Sequence, residues 1–149
     1  MSDWRKRLQE QAKTPVQRET EKKLEQQALE LATEEALADG VAVILKAFIE
    51  AVPILKHRVQ YGLDGAGNHC TLAMPQTQNS IKAEIKGTTI VVTMDGGHAF
   101  KDRPCGFEWN PYQGNFTMAR HGTGPSVDID EIVGGIIEEW AKKHGLLSG

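Results

Sequence analysis

The chain has 149 residues, 40% hydrophobic and 25% charged, with a net charge of −3. That length suits one domain that buries a core without metal or disulfide staples. The net charge gives no footprint for nucleic acid, which asks for a clustered basic surface.

Residues 1–14 are charged and weakly patterned, with no apolar signal-peptide core, and are expected to form a flexible N-terminal segment. A single α+β domain is expected over 15–149, opening with a long helix or helix pair over 15–52. Its first part is rich in Glu, Lys, Gln, Leu and Ala, all good helix formers. Thr14 is placed to cap it, with Pro15 at the first helical position, where a missing N–H costs nothing. Leu24, Ala28, Leu31, Ala38, Ala42, Leu45, Ile49 and Val52 follow a 4-3 spacing broken at Glu35. That is a helical stripe with the spacing of a coiled-coil seam. Gly40 either ends the helix or interrupts it, and Val41–Val52 reads as a second helix, a continuation, or partly strand. The apolar run 41–55 contains Lys46, Glu50 and Pro53, short of the roughly 20 residues a membrane span needs.

Residues 54–121 read as an antiparallel meander of about six strands, in three hairpins. The first turns at Asp64-Gly65-Ala66-Gly67, the second at Gly87, and the third at Pro111-Tyr112-Gln113-Gly114. The C-terminal helix, 128–144, opens on Asp128 with Glu131 three residues on, a capping-box pattern. Ile129, Ile132, Val133, Ile136, Ile137, Trp140 and Ala141 form its apolar face, which predicts packing on the sheet. Lys142, Lys143 and His144 fill the last turn and Gly145 takes the left-handed position after it.

The richest stretch for chemistry is 95–116. Cys105, His98 and Asp102 or Asp95 are the residue types of an activated thiol, which needs a base to take its proton and an acid to orient that base. His57, His69, Cys70, His98, Cys105 and His121 are the types of a zinc site. Their spacing lacks paired ligands, and the adjacent His69 and Cys70 point to opposite faces of a strand, so no metal or cofactor is expected. Asp128, Asp130 and Glu131 are explained by capping rather than by calcium. Trp109 and Tyr112 are candidates for binding a protein partner, Tyr112 because it sits at a turn tip with little to bury against.

Charge along the first helix is segregated. Its basic residues, Arg5, Lys6, Arg7, Lys13, Arg18, Lys22 and Lys23, precede Leu24, and only acids follow up to Gly40. Two copies side by side and antiparallel would set basic half against acidic half. The seam of Leu24, Ala28, Leu31 and Ala38 would supply apolar contact.

No stretch carries a family signature, and the fold alone leaves function open. The leading expectation is a small cytoplasmic, non-enzymatic homo-oligomer that binds a protein partner through its aromatic hairpin, without nucleic acid or membrane. The two cysteines are read as reduced thiols. The alternatives are a thiol- or metal-dependent hydrolase centred on Cys105 and His98, or a domain that holds a small apolar ligand against the sheet.

Overall fold

The computed structural model describes residues 4–98, 105–118 and 126–147, without the side chains of Ala66, Gly97 and His98. The elements run α1 (Trp4–Ala12), α2 (Pro15–Ile54), β1 (Gln60–Asp64), a short 3-10 turn (Gly65–Gly67), β2 (His69–Ala73), β3 (Ser80–Lys86), β4 (Thr89–Met94), β5 (Gly97–His98), β6 (Cys105–Asn110), β7 (Asn115–Met118) and α3 (Ile129–Lys143). Contacts divide the chain into two compact units, Met1–Ala32 and Thr33–Gly149, with the boundary inside α2.

In the first unit, Trp4–Ala12 is helical although its weak pattern suggested flexibility. The Arg18 guanidinium donates to the Glu10 carbonyl at 2.7 Å, satisfying one of the acceptors that a helix end leaves open. Thr14 and Gln17 form a reciprocal capping box. The Gln17 N–H donates to Thr14 Oγ1 at 3.2 Å and the Thr14 N–H to Gln17 Oε1 at 2.9 Å. No residue over 4–32 is buried.

The second unit is α+β, as the pattern predicts: a helix, an antiparallel meander and a C-terminal helix packed on the sheet. The sheet order is β1-β2-β3-β4-β6-β7, with β5 paired to the end of β4. One face of it carries the buried row Cys70, Leu72, Ile81, Ala83, Ile90, Val92, Cys105 and Phe107, matched across the strands by register. Ile44 and Phe48 of α2 with Val133, Ile136 and Trp140 of α3 complete this core.

The structure bears on three local readings. Of the alternatives for 41–52 the continuation is the one observed, because α2 runs through Gly40 to Ile54. A Cβ at Gly40 would stand 2.5 Å from Ile90 Cδ1 and 3.1 Å from Phe116 Cζ, so the glycine permits close helix–sheet approach. The first strand starts at Gln60 rather than at 54, because Lys56 and His57 close α2 with left-handed φ of 57° and 60°. His98 lies in the two-residue strand β5. Asp95 (φ 54°) and Gly96 (φ 79°) form a two-residue turn between Met94 and Gly97, the Asp-Gly pattern of a type I′ hairpin.

The ends of α3 follow the sequence closely. The Glu131 N–H donates to Asp128 Oδ1 at 3.3 Å. At the other end the Leu146 N–H donates to the Ala141 carbonyl and the Gly145 N–H to that of Lys142, with Gly145 at φ 70° and Leu146 buried. This is a Schellman closure with its apolar contact.

Candidate functional site

Cys105 begins β6 on the helix-facing side of the sheet and is buried. Burial pushes its thiol up to about 11, and that of Cys70 up to about 12. A nucleophilic cysteine needs access and a lowered pKa, and Cys105 has neither. His98 is placed by its backbone in β5, while Asp102 lies outside the described residues. Of the zinc-type residues, His69 Nε2 stands 3.6 Å from Asp64 Oδ2, and His121 also lies outside the described residues. Among the described residues no three His, Cys, Asp or Glu side chains come together as a metal would require.

The polar cluster that does form gathers around Asp95, at the corner where the β4–β5 turn meets the last turn of α3. Asp95 Oδ1 accepts from the Ser80 N–H at 3.0 Å and from Trp140 Nε1 at 3.0 Å. Its Oδ2 accepts from Lys143 Nζ at 3.1 Å and lies 2.8 Å from His144 Nε2. Asn79 Nδ2 lies 3.3 Å from His144 Nδ1. One neutral tautomer satisfies both contacts, with Nε2–H donating to Asp95 and Nδ1 accepting from Asn79. Burial raises the Asp95 pKa, but the bonds from Trp140, His144 and Lys143 outweigh it and hold the carboxyl below its ordinary 3.8.

A histidine, a carboxylate and an amide in line have the look of a proton-transfer set. Yet both ring nitrogens are already engaged within the fold, which leaves none for a substrate. The corner is a clip that fastens α3 to the sheet. From the sequence, Asp95 stands out only as an acid that could orient His98. The missed signal was the Asp-Gly turn, which aims Asp95 at α3.

The aromatic hairpin divides its two candidates. Trp109 is half-buried and meets Phe116 edge-on, with ring centroids 5.0 Å apart, so it belongs to the margin of the core. Its Nε1 is buried and has no hydrogen-bond partner among the described residues. Tyr112 is 90% exposed. Its turn is fixed from within, because Asn110 Oδ1 accepts from the N–H groups of Tyr112 and Gln113 at 2.9 and 3.1 Å. The hairpin therefore displays one aromatic ring on an ordered support.

On α2 the seam residues are all exposed: Leu24 and Leu31, each at 60%, and Ala28 and Ala38 with them. The row that packs on the sheet lies one residue earlier at each step, through Leu37, Val41, Ile44, Phe48 and Ala51. The 4-3 stripe and the core row are thus neighbouring faces of one helix; Leu24, Ala28, Leu31, Ala38, Ala42 and Ile49 of the stripe are outward, while Leu45 and Val52 are half-buried against the core. Ile49, on the same stripe within the second unit, is exposed as well.

No family model, curated protein or solved structure matches this chain. Among the described residues no helix is long and apolar enough to cross a membrane.

Proposed function

We propose that this chain is a non-enzymatic protein that self-associates through α2 and presents the Tyr112 turn to a protein partner. The observation that carries the reading is the outward 4-3 stripe. A helix that already meets its core through one apolar row keeps a second row, with Leu24 and Leu31 in water. Over 15–32 no residue of α2 is buried, so intrinsic propensity and exposed pairs alone would have to hold that part of the helix. Packing normally supplies most of a helix's stability. An antiparallel second copy supplies that packing and sets Arg18, Lys22 and Lys23 along the acids Glu30, Glu34, Glu35 and Asp39. Two free, buried thiols fit a reducing compartment, which supports a cytosolic protein. Tyr112, large and exposed on a fixed turn, has the character of an interface anchor.

Sedimentation at two ionic strengths tests the pairing. The wild type is expected to dimerise more tightly at low salt, since exposed charges are screened over about 8 Å at physiological ionic strength. Changing Glu25, Glu30, Glu34 and Glu35 to Lys should give monomers. Reversing Arg18, Lys22 and Lys23 to Glu in addition should restore the dimer, and Leu31→Glu should dissociate every variant. A wild type that stays monomeric at tens of micromolar in low salt overturns the reading.

A further inference from the structure

The exposed stripe continues onto the sheet. β1 is an edge strand whose Tyr61 and Leu63 sit opposite Leu72 and Cys70 in register. Directly paired residues project to the same face, so Tyr61 and Leu63 point to the side that carries the helices. Leu72 and Cys70 are fully buried there, whereas Tyr61 is 51% and Leu63 54% exposed. Neither α2 nor α3 covers this margin.

The course of α2 explains why. Gly40 approaches Ile90 of β4, the Val41 carbonyl lies 4.0 Å from Cys70 Sγ of β2, and Val52 shares a 400 Å³ depression with Val59, Gln60 and Tyr61. A second helix packed beside α2 has its axis about 8–10 Å away, roughly two strand spacings. From β2 outward, that distance reaches past β1. A helix lying there touches the stripe of α2 on one side and the rings and methyls of β1 on the other.

Resting on the pairing proposed above, we infer that Tyr61 and Leu63 are part of the self-association surface, and that a second copy's N-terminal helical segment covers them. The antiparallel direction selects that segment, because charge matching places the basic start of one copy beside the later part of the other's α2. Trp4 and Leu8, both exposed on α1, bring apolar groups suited to the margin. An edge strand with exposed apolar side chains is otherwise a liability that proteins cover.

The test is the dimer dissociation constant of Tyr61→Lys/Leu63→Lys, read by sedimentation equilibrium beside the wild type and Leu31→Glu. The constant is expected to rise about tenfold or more, because each copy contributes both side chains. Tyr61→Thr/Leu63→Thr, which keeps β-branched residues on the strand, should shift it in the same direction and guards against a folding defect. Circular dichroism should show unchanged secondary structure in at least the Thr pair. A wild-type constant in both pairs, while Leu31→Glu still dissociates the dimer, overturns this inference and leaves the helix pairing standing. A monomeric wild type overturns both and leaves the β1 margin to some other partner.

Discussion

Replacing Asp95 by Asn keeps the shape of the side chain and its tolerance of a left-handed backbone, but removes the charge that organises the α3 corner. Asp95 accepts from Ser80 N, Trp140 Nε1 and Lys143 Nζ and contacts His144 Nε2. In the variant, Oδ1 still takes the Ser80 and Trp140 protons, while the new NH2 faces Lys143 and His144 as donor to donor. A hydrogen bond to a charged acceptor is worth about 1.5–3 kcal/mol and a neutral one about 1 kcal/mol, so the Trp140 bond loses about 1 kcal/mol. The Lys143 pair is solvent-screened and adds no more than about 1 kcal/mol. The expected loss is about 2 kcal/mol at pH 7, or a melting temperature lower by roughly 5–10 °C. Because the folded-state pKa of Asp95 lies below its ordinary 3.8, its stabilisation is full above that value and is lost as pH falls through the folded-state pKa. Thermal melts of wild type and variant should therefore differ at neutral pH, with a gap that begins to narrow only below about pH 4 and closes below the folded-state pKa. A gap under about 0.5 kcal/mol at pH 7, typical of an unremarkable surface change, would refute the clip. So would a gap that widens on acidification.

Two further outcomes follow from burial and packing. Iodoacetamide at pH 7 should leave both Cys70 and Cys105 unmodified in the native protein and label both once it is unfolded, since each thiol is buried and its pKa raised; rapid native labelling of Cys105 alone would reopen the thiol chemistry. Two glycines in helices should respond with opposite signs in thermal melts. Gly135→Ala, whose new methyl meets nothing within 4 Å, should stabilise by about 1 kcal/mol, while Gly40→Leu, pressed against Ile90 and Phe116, should cost at least about 2 kcal/mol.

Elements governed by short-range chemistry were legible in the sequence. The Thr14 and Asp128 caps, the Gly145 closure and the hairpin strands 80–94 all depend on residues within a few positions of one another. The type I′ turn at Asp95-Gly96 was equally local, but its partner strand has only two residues, too short for a periodic pattern to announce. The Asp95 corner was not legible. Its members come from 79–80, 95 and 140–144, and only the folded hairpin and helix bring them together.

The seam shows most clearly where periodicity stops deciding. Between 37 and 52 the rows beginning at Leu37 and at Ala38 are both apolar, so a 4-3 count fits either one. Gly40 breaks the tie: only a face flanked by a residue without a side chain lets the helix settle onto Ile90 and Phe116, and that face carries Leu37, Val41 and Ile44. Choosing the core row this way leaves Ala38, Ala42 and Ile49 of the other row outward, with Leu45 and Val52 at the core's margin, and over 15–32 no apolar residue of α2 is buried. The second row therefore serves the core in part, at Leu45 and Val52, and its exposed members, together with the reversal of charge at Leu24 and the half-exposed Tyr61 and Leu63, are what the proposed pairing would use.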